Sequence, residues 1–475
     1  MSVHSVDSGV SSESPDGSIC EWDFLDEQAM FADGNTDCFP GPTPHECKNA
    51  PLVVQPALRP LEEMASDSQF GLFGQIVSMN HKGTTEVPSD KRLYMNCSAP
   101  FSALLCGVQG AGKSHTLATM LENLLIPRFK PIGSLEEPMS ALVLHFGEGG
   151  SSSLPSEVAW VFASPSSIKT MRSAYIGALG EKVEIHPLYL TEAELDASAI
   201  LSMMSINSSE SAPLYMQLVL ERLRKLGEDF TFRAFQNELD DLKEDLNPFQ
   251  KGSLDQRLAL LNSFLDSTPS KSKGRPIRPS RFAKGQLTVI DLSDPFIDAD
   301  SACGIFNIIC RLFTRVDLNA GKVLVIDEAH KYLSLAKGGA SGLTKRILSI
   351  IRQQRHLGMR VIISTQEPTI LPPVIIDLCT VIMLHRFQSP AWWEHIVKHV
   401  SADFSLGDAF DRVVRLQTGQ SVVFAPSGIG KFKINDTDDE DLGLFGRRYL
   451  ICKTRKRVTD DGGASILATR LTDSD

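Results

Sequence analysis

Through the middle of the chain, short unbroken apolar runs alternate with longer stretches whose apolar residues recur every three or four positions. The runs fall at residues 103–107, 141–146, 287–292, 323–327, 360–364 and 380–385, for example Val323-Leu-Val-Ile-Asp327. A strand with one wet face alternates polar and apolar residues, whereas an unbroken run is covered on both faces, as in a parallel sheet. Helical spacing separates the later runs, over residues 302–316, 343–358 and 390–400. This alternation predicts an α/β fold with a doubly wound, mainly parallel sheet. Two shorter runs, at 70–77 and 91–96, predict strands that lead into it.

Composition divides the chain further. Residues 1–58 are rich in Ser, Asp, Gly and Pro and are expected to form a disordered acidic tail. Residues 59–150 open the sheet domain, and 286–460 complete it. Between them, 151–285 reads as a mainly helical insertion, with helices at 212–226, 232–246 and 254–265. It closes in a basic, proline-rich linker over 268–281, whose lysines and arginines suit either solvent or a phosphate backbone. Residues 461–475 are a second tail.

The net charge of −11 argues against a uniformly basic nucleic-acid binder. Ten of the acids lie in residues 1–50 beside a single Lys, so a local basic face can survive that average. Nine cysteines with no Cys-x-x-Cys pair fit reduced, buried thiols and an intracellular protein. No apolar stretch is long enough to span a membrane, and the N-terminus lacks the apolar core of a signal peptide.

The chemistry begins at Gly107-Val-Gln-Gly-Ala-Gly-Lys-Ser114, which completes the pattern G-x-x-x-x-G-K-[ST] between a predicted strand and a predicted helix. Gly107, Gly110 and Gly112 let successive amides turn toward one point and hold phosphate oxygens. The expected nucleotide contacts are these three with Gln109, Ala111, Lys113, Ser114 and His115. Lys113 reaches the β- and γ-phosphates, and the Ser114 hydroxyl is offered to Mg²⁺. The run ending Asp327-Glu328 is a buried strand that presents two acids at its tip, Asp327 on the metal side and Glu328 as general base. On the next strand, Val361-Ile-Ile-Ser-Thr-Gln366 puts an amide where it can hold the lytic water or sense the γ-phosphate. Phosphoryl transfer also calls for a cation supplied late in the reaction. Arg352 and Arg355 are the first candidates, with Arg360, Arg386, Arg455 and Arg457 behind them.

The order of these pieces resembles the HerA/FtsK superfamily of P-loop ATPases, its HerA and conjugation-ATPase branch in particular. The phosphate loop is followed by a long insertion and a strand ending Asp291-Leu-Ser293. Asp327-Glu-Ala-His330, Arg352-x-x-Arg355-x-x-Gly358 and Ser364-Thr-Gln-Glu-Pro368 come next. Gly419-Gln-Ser-Val-Val-Phe424 and Arg455-Lys-Arg-Val-Thr459 close the series. The resemblance covers about residues 95–460 in outline. It implies the additional-strand catalytic-glutamate (ASCE) fold, Mg-ATP as the bound species and hydrolysis of that nucleotide. It further implies assembly as a homo-oligomeric ring, usually a hexamer, with an arginine donated by a neighbour and DNA as a partner. No N-terminal β-barrel of the HerA kind is legible. Asp-Glu-Ala-His also invites a helicase reading, but no Gln-x-x-Gly-Arg-x-Gly-Arg element follows Gln366.

Overall fold

The structure, a computed structural model, describes residues 41–64, 68–133, 135–146, 160–179, 183–203, 214–265, 280–333, 340–402, 406–433 and 440–459. Its early strands are β1 (Leu52–Val54), β2 (Phe70–His81), β3 (Thr84–Glu86), β4 (Arg92–Asn96), β5 (Ser102–Cys106) and β6 (Ser140–His145). Then come β7 (Trp160–Ala163), β8 (Glu184–Pro187), β9 (Leu287–Asp291), β10 (Lys322–Ile326), β11 (Met359–Thr365) and β12 (Val381–Leu384). The last four are β13 (Gln420–Phe424), β14 (Ile429–Lys433), β15 (Glu440–Leu444) and β16 (Tyr449–Thr454).

All join one sheet. Its parallel part runs β12-β5-β11-β10-β6-β9-β7-β8. All six predicted core strands lie in it, because each is an apolar run buried on both faces. Successive residues of a run serve opposite faces. Leu104, Leu142, Leu324 and Ile363 pack under helices Ala299–Arg315 and Ala340–Arg352. Ala103, Val143, Val323 and Ile362 pack against Leu117, Met120 and Leu124 of helix Lys113–Leu125. Helices on both faces make the sheet doubly wound, as the pattern predicted. The register levels the carboxyl ends, with Cys106 opposite Thr365 and Ile363 opposite Ile326. One strand, β11, stands between the phosphate-loop strand β5 and the acidic strand β10, which is the additional strand of the ASCE class.

Beyond β12 the sheet continues as a largely antiparallel wing, β13-β16-β2-β4-β1-β14-β15, built from both ends of the described chain. Here one expectation differs from the structure. Residues 41–58 were expected to belong to a tail, yet they form helix Pro44–Asn49, strand β1 and the start of helix Gln55–Met64. Thr43 and Glu46 cap the first helix reciprocally, and all three residues of β1 are buried. A three-residue apolar run among prolines and charges is invisible to a compositional average. Residues 1–40 and 460–475 lie outside the described residues. The insertion carries helices Ile168–Leu179 and Ala197–Met203 ahead of its middle. Helices Leu214–Leu226, Phe232–Asp245 and Pro248–Ser263 follow, and its strands β7 and β8 extend the far edge of the parallel sheet. Its basic linker falls outside the described residues except for Ser280 and Arg281. Among the described residues no helix is long and apolar enough to cross a membrane.

Candidate active site

The loop between β5 and helix Lys113–Leu125 turns through left-handed glycines, Gly110 at φ 73° and Gly112 at φ 108°. Gly110 faces open space, so only its backbone conformation demands glycine. Gly112 has a second reason, since a Cβ there would meet the Gly419 amide nitrogen at 2.8 Å. The loop is braced from outside. Val108 N–H donates to the Arg386 carbonyl at 3.1 Å, and Gly419 N–H donates to the Ala111 carbonyl at 3.2 Å. His385, fully buried behind Gly107, places Nδ1 3.0 Å from the Gln420 carbonyl oxygen, which can only accept, so Nδ1 carries the proton. Burial, with the charge of Lys113 beside it, pulls the His385 pKa down to about 4, and its ring is neutral. Gln109, Gly110 and Ser114 are exposed at the mouth of the loop, with His115 half-buried behind them. Lys113 is buried, and its Nζ donates to the Val108 carbonyl at 3.1 Å.

Across β11 the two acids leave the tip of β10. Adjacent strands lie about 4.8 Å apart, so β5 and β10 are separated by about 10 Å. The Asp327 amide is held by the Leu144 carbonyl at 3.1 Å. Its carboxylate lies 3.2 Å from His145 Nδ1 and also accepts from the Ser364 hydroxyl. Burial pushes the Asp327 carboxyl up, but the hydrogen bond and charge of His145, aided by Ser364, hold it below its ordinary range. Glu328 takes a left-handed conformation, φ 50° and ψ 41°, which costs a non-glycine residue roughly 1–3 kcal/mol. That turn brings its carboxylate under Gln366, whose Nε2 donates to Oε1 at 2.7 Å and Oε2 at 2.9 Å. His330 Nε2 lies 3.5 Å from the same carboxylate, while Gln366 N–H approaches His330 Nδ1 at 3.4 Å. Burial lowers the His330 pKa, and its neutral form presents an Nε2 proton to Glu328. Burial also lowers the Lys113 pKa, against the pull of Glu328 and Asp327, so all three groups share one electrostatic site.

These residues fit a triphosphate with Mg²⁺. The glycines keep side chains out of the cradle, and the buried lysine supplies the cation. No cluster of three or more His, Cys, Asp or Glu able to hold a metal occurs among the described residues. Mg²⁺ does not need one, because it is held by one or two carboxylates with phosphate oxygens and water. Asp327 and Ser114 are the residues that would hold it.

The arginines behave differently. Arg352 and Arg355 are exposed and precede β11, so they sit at the amino end of the parallel strands, away from the phosphate loop of their own chain. Arg360 is buried at that same end, bonded to the carbonyls of Cys97 and Ser98. Arg455 is tied into a clasp on the phosphate-loop helix. Its Nη1 donates to buried Glu122 at 2.6 Å, and Glu122 Oε1 accepts from the backbones of Val458 and Thr459 at 2.9 Å each. His115 Nε2 meets the Arg455 carbonyl at 2.7 Å, and Thr116 meets Thr454 at 2.9 Å. The roles of His145, His330, the Gly419 brace and this clasp were not legible in the sequence.

No family model matches the chain, and no curated protein matches it in sequence. Solved structures are similar in fold. The genome packaging NTPase B204 of Sulfolobus turreted icosahedral virus 2, in complex with ATP-gammaS, is 13% identical over 69% of this chain and 92% of that one, with a TM-score of 0.30. VirB4 of Thermoanaerobacter pseudethanolicus is 13% identical over 80% and 96%, with a TM-score of 0.43. The cytoplasmic domain of the type VII secretion ATPase EccC of Thermomonospora curvata is 11% identical over 82% of this chain but 26% of its own, with a TM-score of 0.28. At these scores no property of those proteins passes to this chain. The assignment rests on the sheet and the site. By its strand order, with β11 between the phosphate-loop strand and the acidic strand, the chain has the P-loop NTPase fold.

Proposed function

We propose that the chain is a Mg-dependent ATP hydrolase that works as a homo-oligomeric ring motor on DNA. The observation that carries the hydrolase reading is the shared site of Lys113, Asp327 and Glu328, two strands apart at one end of the sheet. Bound there, ATP supplies the phosphoanhydride to be cleaved and Mg²⁺ offsets its charge. The chain's own residues do the rest. Lys113 exchanges the Val108 carbonyl for phosphate oxygens. His145 and Ser364 keep Asp327 ionised and oriented. Glu328 takes a proton from the attacking water once Gln366 turns its amide away, and His330 donates toward the same carboxylate. Ring assembly and DNA rest on the order of motifs shared with the HerA/FtsK superfamily. Arg352 and Arg355 then serve a neighbouring subunit's site.

A second reading, a nucleotide-gated interaction module with slow turnover, is favoured by the Gln366 amide that occupies both oxygens of Glu328. Phosphate release measured with and without double-stranded DNA separates the two. The motor reading expects turnover that falls by about 10²–10⁴-fold in Glu328→Gln and at least as far in Lys113→Ala. Equal hydrolysis by wild type and Glu328→Gln overturns the base assignment. Tight ATP binding with no hydrolysis under any condition selects the module.

A further inference from the structure

At the amino end of the parallel strands a cavity of about 350 Å³ opens between the chain entering β5 and the starts of β6, β10 and β11. It is the wrong end for the nucleotide. The seven residues of β11 separate it from the phosphate loop by about 20 Å. Its walls are mostly apolar, with Pro138 and Met139 among them, and Arg360 lines it too.

Arg360 is 4% exposed and carries no ion pair among the described residues. Its Nη1 donates to the Gly358 carbonyl at 3.0 Å, and its Nη2 donates to the carbonyls of Cys97 at 2.8 Å and Ser98 at 2.5 Å. Its Nε finds no acceptor among the described residues. Burial lowers the guanidinium pKa to about 10. The Cys97 thiol beside it, pushed up to about 12 by burial, stays neutral and supplies no counter-charge. Glu137, the one acid in the lining, is bridged to Lys284. A buried cation without an anion is costly, because its lost hydration is not repaid by an opposite charge. Carbonyl dipoles offset part of that cost and leave two of the five N–H groups, one on Nε and one on Nη1, without an acceptor among the described residues.

We propose that this cavity binds a small organic carboxylate, whose charge pairs with Arg360 and whose apolar body lies against Pro138 and Met139. A cavity of this volume is at the lower end of the small-molecule range. Nη1 lies beside Gly321 and Met139 of the cavity lining and keeps a second N–H, for which a carboxylate oxygen is a charge-assisted acceptor of the strong kind. The apolar walls select against inorganic anions, which would lose their hydration without gaining contact.

Calorimetric titration of the full chain with benzoate, and with benzamide as an uncharged match in shape, tests this. Wild type binds benzoate at least tenfold more tightly than benzamide, and Arg360→Met loses that preference. Arg360 also holds two carbonyls, so Pro138→Trp, which fills the cavity and keeps the guanidinium, provides a second variant and weakens benzoate at least tenfold. Lys113→Ala leaves benzoate binding unchanged. The proposal is overturned if acetate, benzoate and phenylacetate all fail to saturate, or if benzamide binds as well as benzoate. It is equally overturned if binding is lost in Lys113→Ala and kept in Pro138→Trp, which would place the anion in the phosphate loop.

Discussion

The two ends of β5, β11 and β10 solve the burial of charge in opposite ways. At the carboxyl end opposite charges lie within one another's field and the acids are held by side chains: Lys113 feels Glu328 and Asp327 while bonded to the Val108 carbonyl, Asp327 meets His145 and Ser364, and Glu328 meets Gln366. At the amino end Arg360 meets only carbonyls. The carboxyl end is therefore self-sufficient when empty, and a ligand must displace existing partners. Lys113 has to leave the Val108 carbonyl, and Gln366 has to leave Glu328. The amino end has no such partner to displace. Placing polar groups so that they are satisfied without ligand keeps a site folded, and it also makes the site switchable, because each exchange of partners is small in net free energy.

The clasp on the phosphate-loop helix gives the largest way to break this contrast. Arg455→Ala would leave Glu122 as unanswered as Arg360 is now. The pair is 10% and 3% exposed, so little solvent screening applies. Chemical denaturation is expected to report a loss of about 3–5 kcal/mol. Arg455→Ala combined with Glu122→Gln should lose less than the sum of the single changes, as groups in one network do. A loss under about 1 kcal/mol in Arg455→Ala would mean that the backbone amides of Val458 and Thr459 suffice for Glu122.

A smaller effect comes from His385, the neutral base behind the loop. Its folded pKa is about 4 against an ordinary 6.5. Unfolding below 6.5 therefore takes up a proton that the folded state refuses, so stability falls as pH drops from 6.5 and the loss levels off near 4. A shift of this size amounts to at most about 3 kcal/mol. The lowered carboxyls of Glu122 and Asp327 act in a lower window that overlaps this one only below 4.5: their stabilisation is present above the ordinary 4.5 and 3.8 and is lost as pH falls below those values. His385→Asn keeps a donor toward the Gln420 carbonyl without a titrating group. Melting curves between pH 6.5 and 4 should slope in wild type and be flatter in His385→Asn. Parallel slopes would assign the acid sensitivity to other groups.

The same contrast explains what was legible beforehand. The phosphate loop and the Val323–Asp327 run could be read because each is contiguous, and burial on both faces leaves an unbroken apolar signature. Asp327 and Glu328 follow from that run at once. Their partners do not. His145 lies 182 residues from Asp327, and Arg455 lies 333 from Glu122. Such pairs exist only after the sheet is ordered, and a lone histidine or a late basic run carries no trace of them. In the wing the runs at 70–77 and 91–96 were legible as strands, but the segment that holds β1 was not. Its strand β1 is three residues long and shelters among prolines and charges that pulled the local average toward disorder. Arg352 and Arg355 were placed by adjacency in sequence to the Gln366 strand, but a strand seven residues long carries them to its opposite end.

Those two arginines give the smallest effect on the single chain and the sharpest test of its assembly. Both are exposed, so Arg352→Ala and Arg355→Ala should each change stability by less than about 0.5 kcal/mol. Neither reaches the phosphate loop of its own chain. Any loss of turnover must then pass through a neighbour, whose site the arginine would complete across a subunit boundary. Mixing Lys113→Ala chains, which keep the arginines, with an arginine variant, which keeps the loop, should restore part of the activity. Full activity in both arginine variants would leave these residues to solvent and shift the role to a cation at the carboxyl end. Arg386 is first in line there, because its carbonyl already braces the loop at Val108.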